Sequence, residues 1–165
     1  MPTPTYTLID SVTLTSSASS VTFSSIPQTY GDLVLTYELL GVGGIASVGH
    51  RLNADSGSNY SYVRMAGNGS TSISGSGSLG SMTISANAYP TTTTKGMGST
   101  QFMDYSATDK HKSALSRANN AEIGTMASAL RWANTAAITS IESFAFSNSW
   151  AAGGTVNLYG IAKAL

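Results

Sequence analysis

Cysteine is absent from the chain. No disulfide framework and no thiolate metal site can form, so stability has to come from packing, strand pairing or neighbouring subunits. Charge is nearly as scarce. Eight basic and eight acidic residues make up 10% of the sequence, against roughly 25% in ordinary soluble domains. The two signs cancel and no basic run occurs, which removes the electrostatic footprint of a nucleic-acid binder. No stretch approaches the roughly 20 apolar residues that cross a bilayer as a helix, so no membrane partner is expected. The start, MPTPTYTLID, lacks the basic and apolar regions of a secretory signal, and the chain is expected to be made in a cytosol.

What is abundant is small and uncharged: 27 Ser, 20 Thr and 17 Gly among 165 residues, with 41% hydrophobic residues overall. Disordered chains combine high net charge with few apolar residues, so this one should fold. Its length suits one domain spanning residues 1–165. A surface with so little charge repels its own copies weakly and suits ordered assembly.

Period-two alternation is the main pattern. Leu33, Leu35, Tyr37 and Leu39 fall on one face and Val34, Thr36 and Glu38 on the other, as a half-buried strand requires. Shorter alternations occur over residues 20–26, 81–86, 101–105 and 142–146, and a last strand over residues 155–162. Pro27, Gly31-Asp32, Asn68-Gly69 and Gly153-Gly154 supply turn chemistry between them. Many short strands without intervening long helices predict an all-β fold, an antiparallel β-sandwich or jelly roll. Residues 121–136 (AEIGTMASALRWANTA) fit a strand, with one short helix as the alternative, because Met126, Leu130 and Ala133 also approach helical spacing. Residues 67–80 (GNGSTSISGSGSLG) read as a Gly/Ser loop or a loosely paired edge.

Several motifs suggest chemistry and are better explained without it. Gly75, Gly77 and Gly80 match a dinucleotide-binding fingerprint, which works only between a strand and a helix; here a strand-like SMTISAN follows. His50 sits in an apparent strand and His111 in a charged turn, neither with a ligand-spaced partner set. The acids are scattered, and no G-x-S-x-G elbow occurs. Residues 53–59 (NADSGSN) offer one carboxylate, poor provision for calcium and good provision for a tight turn. No cofactor, no metal and no enzymatic activity are therefore expected. Trp132, Trp150, Tyr60, Tyr62 and Tyr105 fit either a sandwich core or a sugar-stacking or interface cluster.

Three blocks carry a family resemblance: SSASSVTFSSIPQTYGDLVLTYELLG, RLNADSGSNYSYVRMAGNG and LRWANTAAITSIESFAFSNSWAAGGTVNLYGI. Within them stand Val21-Thr22-Phe23, Ile26-Pro27, the run Arg51 to Tyr60, Ile138 to Ile141, Trp150 to Gly153, and Leu158 to Ile161. In order and spacing they resemble small structural proteins of tailed-bacteriophage virions. The resemblance implies a β-sandwich displayed on a phage particle, with decoration or cementing of the capsid as the favoured role. The partners it implies are the major capsid protein and further copies of the chain itself, expected as a homotrimer. A tail-fibre or host-contacting module that binds receptor or glycan is the alternative. Expected interface residues are Pro2, Pro4 and Tyr6, in an extended arm over residues 1–6, together with Trp132, Trp150, Val156 and Leu158.

Overall fold

A computed structural model describes residues 4–163. Its strands run antiparallel, and no helix occurs among the described residues. The strands are β1 (Tyr6–Thr13), β2 (Ser20–Phe23), β3 (Asp32–Leu39), β4 (Gly41–Val42), β5 (Val48–Leu52), β6 (Tyr60–Gly67) and β7 (Ser72–Leu79). They continue with β8 (Met82–Thr83), β9 (Gly96–Met103), β10 (Lys112–Asn120), β11 (Gly124–Trp132), β12 (Ile141–Ala145), β13 (Ser149–Trp150) and β14 (Thr155–Ile161). Eight of them form one large sheet in the order β1-β14-β3-β9-β10-β11-β6-β7. A smaller sheet, β2-β12-β5-β8, covers one face of it, and β13-β4 forms a short ribbon. The fold is a β-sandwich, as the alternation predicts.

The core lies between the two sheets, where the apolar half of each alternation points. Leu33, Leu35, Tyr37 and Leu39 of β3, Phe102 of β9, and Val156 and Leu158 of β14 come from the large sheet. Val21, Phe23, Val48, Leu52 and Ile141 meet them from the small one. Each such side chain, fully buried, adds roughly 1.5–3 kcal/mol to folding. The region open to two readings, residues 121–136, contains strand β11 and no helix. Met126, Ser128, Leu130 and Trp132 all point inward, because β11 is held on both sides, by β10 and β6. Pairing on two edges overrides a weak helical tendency.

Strand β10 departs in part from the apolar-inward pattern, with Ala114 and Ala118 inward as usual. Lys112, Ser116 and Asn120 face the core while Leu115 faces outward. The polar side chains are satisfied there. Lys112 Nζ donates to the carbonyls of Lys110 and Thr135 at 3.0 and 3.1 Å, and Asn120 Nδ2 to those of Tyr89 and Thr94 at 2.8 and 3.2 Å. Buried polar groups are tolerated where each finds a partner.

Two glycines stand directly opposite a tyrosine. Gly98 pairs with Tyr37, and a Cβ at Gly98 would lie 2.5 Å from the ring. Gly77 pairs with Tyr62, whose ring would stand 3.1 Å from the added atom. The tyrosine lies flat across the backbone that the missing side chain exposes. The Gly75-to-Gly80 run is thus part of an edge strand, β7, paired along its length to β6, and the segment that follows is β8, not a helix.

Candidate interaction surface

The residues that carry the family resemblance meet in space. Asn53, at φ 51°, accepts from the backbone N–H of Thr139 at 2.8 Å and of Ser140 at 3.1 Å. Its amide donates to the Ala137 carbonyl at 2.8 Å. Asp55, two residues on, accepts from Trp132 Nε1 at 2.7 Å, Asn59 Nδ2 at 2.9 Å and the Gly57 N–H at 2.9 Å. These donors, the Trp132 indole first among them, hold the Asp55 carboxyl below its ordinary pKa. Both carboxylate oxygens face donors, so the loop is a turn locked to β11 and not a cation cradle. Trp132 stacks on Tyr60 with ring centroids 6.3 Å apart, and Trp150 Nε1 donates to the Ala46 carbonyl at 3.2 Å. These segments are therefore joints of the fold.

That placement corrects the expected interface. Trp132, Trp150, Val156 and Leu158 are all 0–1% exposed and belong to the core, so none can anchor a partner or stack on a sugar. Periodicity alone could not say which face of each strand is covered. Pro2 lies outside the described residues. Pro4 is exposed, but the arm cannot extend to residue 6. Thr5 accepts from Ala162 N–H at 3.0 Å, and Tyr6 opens strand β1 opposite Ile161. Tyr6 keeps an exposed side chain.

His50 is also internal. Fully buried, it places Nδ1 3.1 Å from Ser143 Oγ and Nε2 3.3 Å from Thr100 Oγ1, which continues to Ser116 Oγ at 3.2 Å. Burial pushes its pKa down to about 3, so the ring is neutral. The chain of hydroxyls links the two sheets through the core, sealed from any substrate. His111 is exposed and accepts from Arg131 at 2.7 Å. No cluster of three or more His, Cys, Asp or Glu suited to a metal occurs among the described residues.

The surface left to consider is the outer face of the eight-stranded sheet. Cross-strand register brings Leu8, Tyr159, Val34, Gln101, Leu115, Ala129, Val63 and Ser76 into one row over all eight strands. Directly opposed residues share a face. Flanking rows add Tyr6, Met65 and Met97. Leu8, Val63, Met65, Met97 and Leu115 are each at least half exposed. The charges on this face are answered locally. Asp32 accepts from Gln101 Nε2 at 2.8 Å and from the Asp104 N–H at 2.9 Å, Glu38 pairs with Lys95, and Arg117 donates to Ser99 at 3.2 Å. Shallow depressions indent it, one of about 480 Å³ lined by Thr36, Met97, Ser99, Arg117 and Asn157. Strands about 4.8 Å apart with about 3.3 Å per residue give the face roughly 900 Å². That is close to the ~800 Å² each partner contributes to a standard protein interface. The exposed apolar side chains are interspersed on it with polar ones such as Thr36, Ser99, Gln101 and Asn157, the mixed composition usual for the surface of a protein–protein interface.

Apart from Tyr6, sequence reasoning missed these residues. Val63 and Met65 alternate with Tyr62 and Arg64, and Leu115 with Ala114 and Ser116, so a second apolar face was present as a weak signal in β6 and β10.

No family model matches the chain, and no curated protein matches it. Among solved structures it is similar to the exo-inulinase of Aspergillus awamori, with a TM-score of 0.35 and 10% identity. The match covers 94% of this chain and 29% of that enzyme's length. A likeness this distant carries no argument about activity.

Proposed function

We propose that this chain is a non-enzymatic structural protein of a tailed-phage particle, and that it decorates the capsid. Copies lie over the joints between major capsid subunits and bury surface on more than one of them, so that expansion under packaged DNA has to break additional contacts. The observation that supports an assembling role is the outer face of the large sheet, which is of interface size, low in charge and set with the exposed Leu8, Val63, Met65, Met97 and Leu115. The phage setting rests on the ordered sequence blocks. Several weak apolar contacts repeated over a lattice suit such a role, because avidity multiplies modest affinities when many sites are held together.

The host-contact alternative loses its expected glycan platform with Trp132 and Trp150 in the core. A density map of the whole particle decides between the two. Sandwich-shaped density over capsid subunit joints is the expected result, and density confined to the tail tip would overturn the decoration reading.

A further inference from the structure

The two edges of the large sheet are built differently. β1 is protected in the ways that strand edges usually are: its register breaks at a bulge between Leu8 and Asp10, and Asp10 puts a charge at the break. β7 has none of this protection. It pairs with β6 without a register shift over Ser72–Leu79, it contains no charge and no proline, and its side chains are exposed or half-buried along the whole strand. An antiparallel edge strand turns alternate backbone N–H and C=O groups outward, and a long unguarded one accepts another strand.

The sequence of this edge is nearly the same read from either end. About Ser76 stand Gly75 and Gly77, then Ser74 and Ser78, then Ile73 and Leu79. A two-fold contact has to be self-complementary, with residue i meeting j and j meeting i. We infer that β7 pairs antiparallel with β7 of a second copy about a two-fold axis at Ser76, joining two eight-stranded sheets edge to edge. In that register Ser76 meets Ser76, Ser74 meets Ser78, Gly75 meets Gly77 and Ile73 meets Leu79. Like meets like on each face, serine hydroxyls on the outer one. On the other, Ile73 and Leu79, 39% and 38% exposed in the single chain, cover each other. The glycines place nothing across the seam, where Tyr62 already lies over Gly77. Matching Ile73 to Leu79 is what selects this register, since a Gly- and Ser-rich strand by itself specifies register weakly. The outer faces of both copies then form one continuous surface, left open for a larger partner. The pairing concerns the purified chain alone and stands whether or not that partner is a capsid.

The absence of cysteine makes the test clean, because any introduced thiol is the only one present. Single variants Ser72→Cys, Ser74→Cys and Ser76→Cys are oxidised mildly. Ser76→Cys should form a disulfide-linked pair at least fivefold faster than Ser72→Cys, which is also exposed, and Ser74→Cys should link best to Ser78→Cys in a mixture. The mass in solution of the natural chain, 17.0 kDa per copy, should double as concentration rises. Ser76→Lys and Ser76→Glu should each weaken the dimer at least tenfold by placing like charges opposite each other. Mixing the two should restore it. Equal thermal midpoints of these variants and the natural chain show that the sandwich itself is intact. A chain that stays monomeric at every concentration, one that forms a trimer, or equal cross-linking rates at Ser72 and Ser76 would overturn the inference.

Discussion

The Asp55 carboxylate accepts from the Trp132 indole across 77 residues of chain at 2.7 Å, and this contact ties the β5–β6 turn to the end of β11. Replacing Asp55 by Ala leaves a buried indole N–H without a partner and removes the acceptor of the Gly57 and Asn59 donors. An orphaned buried donor costs about 1–3 kcal/mol. Asp55→Ala should therefore lower stability by about 2–3 kcal/mol in urea unfolding followed by tryptophan emission, and Asp55→Asn, which keeps one acceptor oxygen, by less. Equal losses in the two variants would contradict this role for the carboxylate.

His50 makes stability depend on pH. The unfolded imidazole takes up its proton near its ordinary value of 6.5, whereas the buried one does so only near 3. Between these values the unfolded state binds more protons, so stability is full above about pH 6.5 and falls as the pH drops through that window. The loss approaches but does not exceed about 1.4 kcal/mol per pH unit. His50→Asn, which keeps polar contacts in the core without a titrating ring, should show a shallower decline between pH 6 and 4 in parallel urea titrations. Superimposable pH profiles would remove His50 as the cause.

The outer-face residues can be tested apart from folding. Val63 and Leu115 are 63% and 54% exposed, and surface substitutions usually change stability by no more than about 0.5 kcal/mol. Val63→Asp and Leu115→Asp together should leave the thermal midpoint almost unchanged and reduce binding to undecorated capsids at least tenfold in a co-sedimentation titration. Undiminished binding would exclude this face as the capsid contact.

Gly98 and Gly77 should differ in their tolerance of alanine. At Gly98 the new methyl would stand 2.5 Å from Tyr37, whose ring is locked in the core, and overpacking of that kind costs about 1–3 kcal/mol. At Gly77 the contact is 3.1 Å, with the half-buried Tyr62 free to shift. Thermal unfolding should rank Gly98→Ala well below Gly77→Ala.

Local pattern was enough to establish the class of fold. The alternation from Leu33 to Leu39 and the turn residues at Pro27, Asn68-Gly69 and Gly153-Gly154 act over a few residues, and β3 and β14 lie where those signals put them. Composition alone excluded thiol chemistry and a long apolar helix. Which face of each strand is covered depends on partners far away in sequence, and only the tertiary structure decided it. Trp132 and Trp150 went into the core because Asp55 and Ala46, brought close by pairing between distant strands, receive their N–H groups. Leu115 came out, and Lys112 went in, because the carbonyls of Lys110 and Thr135 were positioned to hold an ammonium. The Ser/Gly run at residues 72–79 became an open edge because β6 paired with one side of it and, within the chain, the ladder ends there.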